Sequence, residues 1–427
     1  MKTGVNQGVP ITFYNLFISG EPIVASKTTA TTADDYLAQA NASEGKKGRE
    51  QTVIRLAEQS LKLRPTVQGY VHRAYAKENL GDTEGAIADY NKAIAINPQY
   101  GGIYFNRGLA KGRGLGDYQG AIADFNKAIA INPEMAEAYH NRGLVKRNLG
   151  DNQGAIADYN KAIAINPQYA LAYYNRGNAK DELGDYQGAI ADYNKAIAIN
   201  PQNADAYNNR GYIKNDMLKE HQRAIADFNK AIEINPQYAL AYYNRGLAKG
   251  NLGDYQGAIV DYNNSIAIDP QYARAYYNRG NAKDELGDYQ GAIADYNKAI
   301  AINPQYADAY NNRGVAKRKL GDYQGEIADY NKAIEIDPQD ALAYTNRGNA
   351  KRKSGDNQGA IADFDKAIEI DPQDVAAYFN RGNAKDDLGD YQGAISDYNR
   401  VIKQYPNHPK IHDAYNNRGL SKYKLGD

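Results

Sequence analysis

The tripeptide Asn-Arg-Gly returns through most of this chain at an almost fixed interval. Its glycine falls at Gly108, Gly143, Gly177, Gly211, Gly246, Gly280, Gly314, Gly348, Gly382 and Gly419, with spacings of 35, 34, 34, 35, 34, 34, 34, 34 and 37 residues. One stretch of 30 residues, Tyr173 to Gln202, recurs letter for letter at 276–305. Self-similarity at this period is the mark of a repeat architecture, in which each unit is one supersecondary brick. It overrides the expectation of two or three globular domains that 427 residues would otherwise carry.

Each unit reads as two helices. In the copy from Leu171 to Pro201, Ala172, Ala179 and Leu183 form one helical stripe, with Tyr173 and Gly177 beside it. Ala189, Ile190, Tyr193, Ala196 and Ile197 form the apolar face of a second helix. Gly184 is placed to stop the first helix, Asp185 to cap the second, and Pro201 to close the unit. No segment alternates like a strand. One such pair has too little apolar surface to fold alone, so neighbouring pairs must stack and share a core.

The unit resembles the tetratricopeptide repeat, whose 34-residue pattern runs Trp, Leu-Gly, Tyr, Ala, Phe, Ala, Pro. Tyr173 stands at the Trp position, Gly177 at the Gly, Ala189 and Ala196 at the alanines, Tyr193 at the Phe and Pro201 at the Pro. The wording NRGNAKxxLGDYQGAIADYNKAI is also similar to repeats of this family common in cyanobacterial proteins. The resemblance implies an all-α fold, a right-handed superhelical solenoid of antiparallel helix pairs, with a concave groove lined by the first helices that binds protein segments. Residues 1–33 read as a non-repeat leader compatible with disorder, 34–66 as a degenerate repeat, 67–410 as ten complete repeats and 411–427 as a terminal half-repeat, either a capping helix or a truncation.

Two columns depart from the family pattern: Arg176 replaces its Leu and Lys180 its Tyr. An arginine recurs at this position in each of the ten complete repeats, and an aspartate recurs equally, as Asp192 does beside Tyr193. An unpaired buried charge costs about 3–5 kcal/mol, and ten such defects would exceed the stability of an ordinary fold. The sequence therefore predicts an Arg–Asp bridge between the two helices of each unit, as Arg176–Asp192 and Arg279–Asp295.

Where the copies differ, the differences gather on the first helix. The position after its first Tyr holds Phe105, His140, Tyr174, Asn208, Tyr243, Tyr277, Asn311, Thr345 and Phe379, and the position four later holds Asn178, Tyr212 and Asn281 among others. An asparagine column runs between them. In the family that face lines the groove, so the expected protein-binding residues are Phe105, Asn141, Tyr174, Asn175, Asn178, Tyr212, Tyr243, Tyr277, Asn278, Asn281, Asn312 and Phe379. A lysine beside the first aromatic, which the family's carboxylate clamp requires, is absent from every copy. Drift at exposed positions after recent duplication is the alternative source of this variation.

Chemistry is sparse. His408 and His412 are separated by Pro409 and joined by no carboxylates, so no metal or cofactor is expected. GRGLG at 112–116 follows a helix rather than a strand and reads as a loosened turn, not a phosphate loop. Adjacent pairs such as Asp181 and Glu182 do not converge on one point. The 51 basic and 51 acidic residues give a net charge of zero, against a nucleic-acid partner. The longest N-terminal apolar run, Ile11–Ile18, is too short to span a membrane. Without cysteine the compartment stays open, and a cytoplasmic location is the expectation. The reading is a non-catalytic scaffold that binds proteins or peptides. Its rival is the docking arm of an enzyme or receptor whose catalytic part lies outside this chain. The sequence leaves the oligomeric state undetermined.

Overall fold

The computed structural model describes residues 32–46 and 48–426. Most of the expected leader, including Ile11–Ile18, lies outside the described residues. Among the described residues there are 23 α-helices and two short π-helical segments, and no strand. They form two units, which divide between Ala206 and Tyr207. In the first, the pair Ala33–Ser43 and Glu50–Leu63 precedes pairs beginning at Val67, Gly101, Ala136 and Ala170. In the second, pairs beginning at Ala239, Ala273, Ala307, Ala341 and Val375 lead to a single terminal helix, Ile411–Leu425.

The local chemistry repeats with the letters. Gly184 adopts φ +81°, a left-handed conformation open to glycine at little cost, and ends the first helix. Asp185 then accepts a hydrogen bond from the Gly188 amide at 3.0 Å and starts the second. Asn200, before the closing proline, leaves helical geometry at φ −125°, ψ 91°. Between the helices the core is small: Ala172, Ala179, Ala189, Tyr193 and Ala196 are buried. A Cβ on Gly177 would stand 2.7 Å from Cε1 of Tyr193, so the glycine lets the ring lie flat against the first helix. Leu183, expected on the buried stripe, is instead 48% exposed, because it sits at the end of the helix where the chain turns outward.

The two 35-residue intervals have a physical cause. Each contains one residue too many, and the first helix absorbs it as a π-helical turn, at Ala110–Leu115 and at Ile213–Met217. The widened turn keeps the registers before and after it intact. GRGLG therefore belongs to a π turn closed by Gly116 at φ +66°.

Candidate functional site

The recurrent arginine is the best-connected side chain of each unit. Arg176 Nε donates to Asp192 Oδ2 at 2.8 Å and Nη2 to Asp192 Oδ1 at 2.5 Å, a planar two-pronged bridge between the helices of one repeat. Arg279 meets Asp295 in the same way. The same pair of bonds forms where a π turn intervenes, between Arg107 and Asp124 and between Arg210 and Asp227. Two further partners were not legible in the sequence. Lys180 brings Nζ to 2.8 Å from Asp192 Oδ2, so the column that replaces the family's Tyr is a second counter-ion. Arg176 Nη1 donates to Asn160 Oδ1 at 2.6 Å, on the second helix of the preceding repeat. The guanidinium also lies 5.4 Å from the centre of the Tyr173 ring.

One arginine thus ties three helices together. The signal was present in the fixed spacing of Arg, Lys, Asp and Asn, but their convergence needs the helix crossing geometry. At Asp89, burial works to raise the carboxyl pKa, but hydrogen bonds and charge from Arg73 and Lys77 outweigh it and hold the group below its usual range.

The expected groove column lies mostly inside. Phe105, Tyr174, Tyr243 and Phe379 are buried, as are Asn141, Asn175 and Asn178. Tyr277, Asn278, Asn281 and Asn312 are half-buried, and Tyr212, at 38%, is exposed. The physical reason is that stacked repeats bring these side chains onto each other. Asn278 Nδ2 donates to the Tyr243 hydroxyl at 3.0 Å and Asn312 Nδ2 to the Tyr277 hydroxyl at 2.9 Å, in each case one repeat back. Asn175 meets Nε2 of His140 at 2.9 Å and Asn244 donates to Asn208 at 3.0 Å in the same manner. Asn141 donates to the Glu137 carbonyl of its own helix at 2.8 Å. Burial pushes the Tyr243 hydroxyl up to about 12.

In some copies the variation is matched from within. His140, Tyr243 and Tyr277 each pack a tilted ring against a tyrosine at the end of their own repeat, with ring centres 4.9, 4.9 and 4.8 Å apart (Tyr169, Tyr272 and Tyr306). Where that end residue is an aspartate, the partner is polar: Asn311 donates to Asp340 at 2.6 Å and Thr345 to Asp374 at 2.8 Å. At these five positions the variable residue and the end residue of its own repeat are complementary. The position four later is matched in some copies. Asn178 and Asn281 accept from the hydroxyls of Tyr193 and Tyr296 at 2.8 Å. Leu144 cannot, and the buried Tyr159 hydroxyl has no partner among the described residues.

What remains on the surface is a different part of the first helices. In the second unit, Leu240, Arg274, Asp308 and Leu342 occupy one register in consecutive repeats and are all exposed, Leu240 at 39% and Leu342 at 62%. The helix ends add Glu285 and Lys319. Among the described residues no helix is long and apolar enough to cross a membrane.

A family model described as TPR repeat matches nine segments from 79–114 to 348–385, and one described as Tetratricopeptide repeat matches 375–408. The chain belongs to the tetratricopeptide repeat family. Among solved structures it is similar to the MamA protein, with 30% identity over 40% of this chain and 94% of that one and a TM-score of 0.37. A tetratricopeptide repeat protein from Parabacteroides merdae shows 22% identity over 58% of this chain and 98% of that one, with a TM-score of 0.46. YrrB, a TPR protein described as having an unusual peptide-binding site, shows 24% identity over 43% and 95%, with a TM-score of 0.38. Comparison with curated proteins finds no match.

Proposed function

We propose that this chain is a non-catalytic scaffold that holds segments of other proteins along its first helices. Family membership supports a protein-interaction role, and one structural observation carries the finer reading. The aromatic and asparagine columns are engaged between repeats, whereas Leu240, Arg274, Asp308 and Leu342 are exposed at one register. Large apolar side chains interleaved with both signs of charge suit a protein segment with its own alternating character. The recurrent ionisable groups are committed to one another in Arg–Asp–Lys clusters, an arrangement that builds walls rather than chemistry.

The test is capture of interacting proteins on the full chain, repeated with Leu240→Glu and Leu342→Glu together. Both positions are exposed, so the fold should survive, as circular dichroism will show. Loss of the captured proteins is expected. Retention of the same set at the same yield would remove this surface from the account.

A further inference from the structure

Glu326 breaks the most uniform column of the second helices. The other nine complete repeats hold a buried alanine at its register, Ala292 before it and Ala360 after it among them. That alanine closes the seam between repeats. Ala292 shares a core with Ala316, and Ala360 with Ala384, on the first helix of the following repeat. Glu326, on Tyr323–Ile336, stands in the equivalent seam, where Ala350 of Ala341–Lys353 holds the facing register and is buried. The glutamate side chain is itself fully buried.

Its carboxyl group has few partners. The Tyr330 hydroxyl donates to Oε1 at 3.3 Å, and Arg318 Nε, at the end of Ala307–Lys319, lies 3.9 Å from the same oxygen. Oε2 has no hydrogen-bond partner among the described residues. Lys353, at the end of the next first helix, faces the group through its charge. Arg318 also faces Asp284 of the preceding first helix, whose Oδ1 is likewise unpartnered among the described residues. Asp329 and Asp363, the other carboxylates of these two repeats' second helices that lie inside, are each held by an arginine and a lysine as elsewhere in the chain. Burial raises the Glu326 pKa from its ordinary value, against the smaller opposing effects of Arg318, the Tyr330 hydroxyl and Lys353.

We propose that Glu326 makes this seam a pH-governed joint of the second unit, closed while its carboxyl is protonated and opened when it ionises. The neutral carboxyl sits in the seam at modest cost, whereas a carboxylate there lacks the hydrogen bonds that a buried charge requires. Parting Tyr323–Ile336 from Ala341–Lys353 admits water and frees the carboxylate to reach Arg318 or the exposed Lys353. The sign follows from proton binding. The closed form has the higher pKa, so closure is fully stable below the ordinary value of 4.5 and weakens as pH rises through the raised one. The inference stands apart from the scaffold reading, because it concerns an interior group and its test needs no partner.

The experiment is hydrogen exchange of the full chain at pH 4.5, 6 and 7.5, read by mass spectrometry and corrected for the intrinsic pH dependence of exchange. It compares amides of Ala341–Lys353 with those of Ala273–Glu285, where Ala258 and Ala282 share the equivalent seam. In the natural chain, protection of Ala341–Lys353 relative to that reference should fall tenfold or more between pH 4.5 and 7.5. Glu326→Gln keeps the shape of the protonated form, and Glu326→Ala restores the letter of the other repeats; circular dichroism shows that each folds. Both should flatten the change to within twofold. A relative protection that varies less than twofold in the natural chain, or a tenfold fall retained by either variant, would overturn the proposal.

Discussion

His140 gives a direct reading of whether the variable column is interior. The imidazole is 3% exposed, packed against Tyr169, and faces Arg113 and Arg147, with Asn175 and the Tyr169 hydroxyl at its two nitrogens. Burial, then the two arginines, lower its pKa from 6.5 to about 4. At ~1.4 kcal/mol per pH unit this shift corresponds to about 3 kcal/mol. The sign follows from proton uptake. The unfolded chain protonates His140 as pH falls below 6.5 while the folded chain does not, so stability is full above 6.5 and is lost on the way down to about 4. By pH 5 the loss is about 2 kcal/mol. The control is His140→Asn, because Asn208 holds this register in another repeat and accepts from Asn244 there. Urea unfolding at pH 7.5, 6 and 5 should show the natural chain losing stability that the variant keeps, while the other histidines cancel between the two. The His140 ring resonances should titrate near 4. Titration near 6.5, or parallel pH profiles for the two proteins, would mean that the side chain is solvated, and the interior reading of the column would fail.

Other perturbations address separate parts of the brick. Asp192→Ala leaves Arg176 and Lys180 facing each other without their carboxylate and should cost about 3 kcal/mol or more, whereas Arg176→Met should cost less because Lys180 still neutralises Asp192; denaturant titration ranks the two. Lys219 is the one non-glycine among the described residues with positive φ, at +57°, where other repeats have the turn glycine, and Glu220 makes no cap. Lys219→Gly with Glu220→Asp should therefore stabilise the chain by about 1–2 kcal/mol, measured as a shifted urea midpoint at constant slope. Tyr159→Phe removes an unpartnered buried hydroxyl and should be neutral or stabilising, while Tyr193→Phe breaks the bond to Asn178 and should cost about 1 kcal/mol. Thermal melts of the pair distinguish these outcomes.

The fold was legible because its signals are local and recur: Gly184 and Asp185 mark a turn in any context, and ten near-copies repeat the statement. The Arg176–Asp192 pairing was legible too, since a buried cation requires a partner and few letters are as constant. Lys180 and Asn160 as further partners were not, because they converge only when helices from two repeats cross. The candidate groove was the least legible part. Helical spacing places Tyr174, Asn175 and Asn178 on one face, but whether that face meets solvent or the next repeat depends on how closely the bricks stack. The pairing of His140 with Tyr169, and of Asn311 with Asp340, joins residues 29 apart, while other copies carry other combinations at these registers, Tyr174 with Asn203 and Asn208 with Tyr238.

The central claim is that residues of this column such as Asn311 and Tyr277 are matched to an internal partner at the end of their own repeat. Asn311→Tyr alone places a ring against Asp340, and Asp340→Tyr alone leaves Asn311 without its acceptor and the Ala343 amide without its cap. Each should cost about 1–2 kcal/mol. The double variant recreates the tilted ring pair formed by Tyr277 and Tyr306. The most direct measurement is the double-mutant cycle by urea unfolding. Asp340 also caps its helix by accepting from the Ala343 amide, a bond lost in both variants that carry Asp340→Tyr. The predicted result is therefore a double variant about 1 kcal/mol or more stabler than the sum of the single losses, and strictly additive losses would contradict the account.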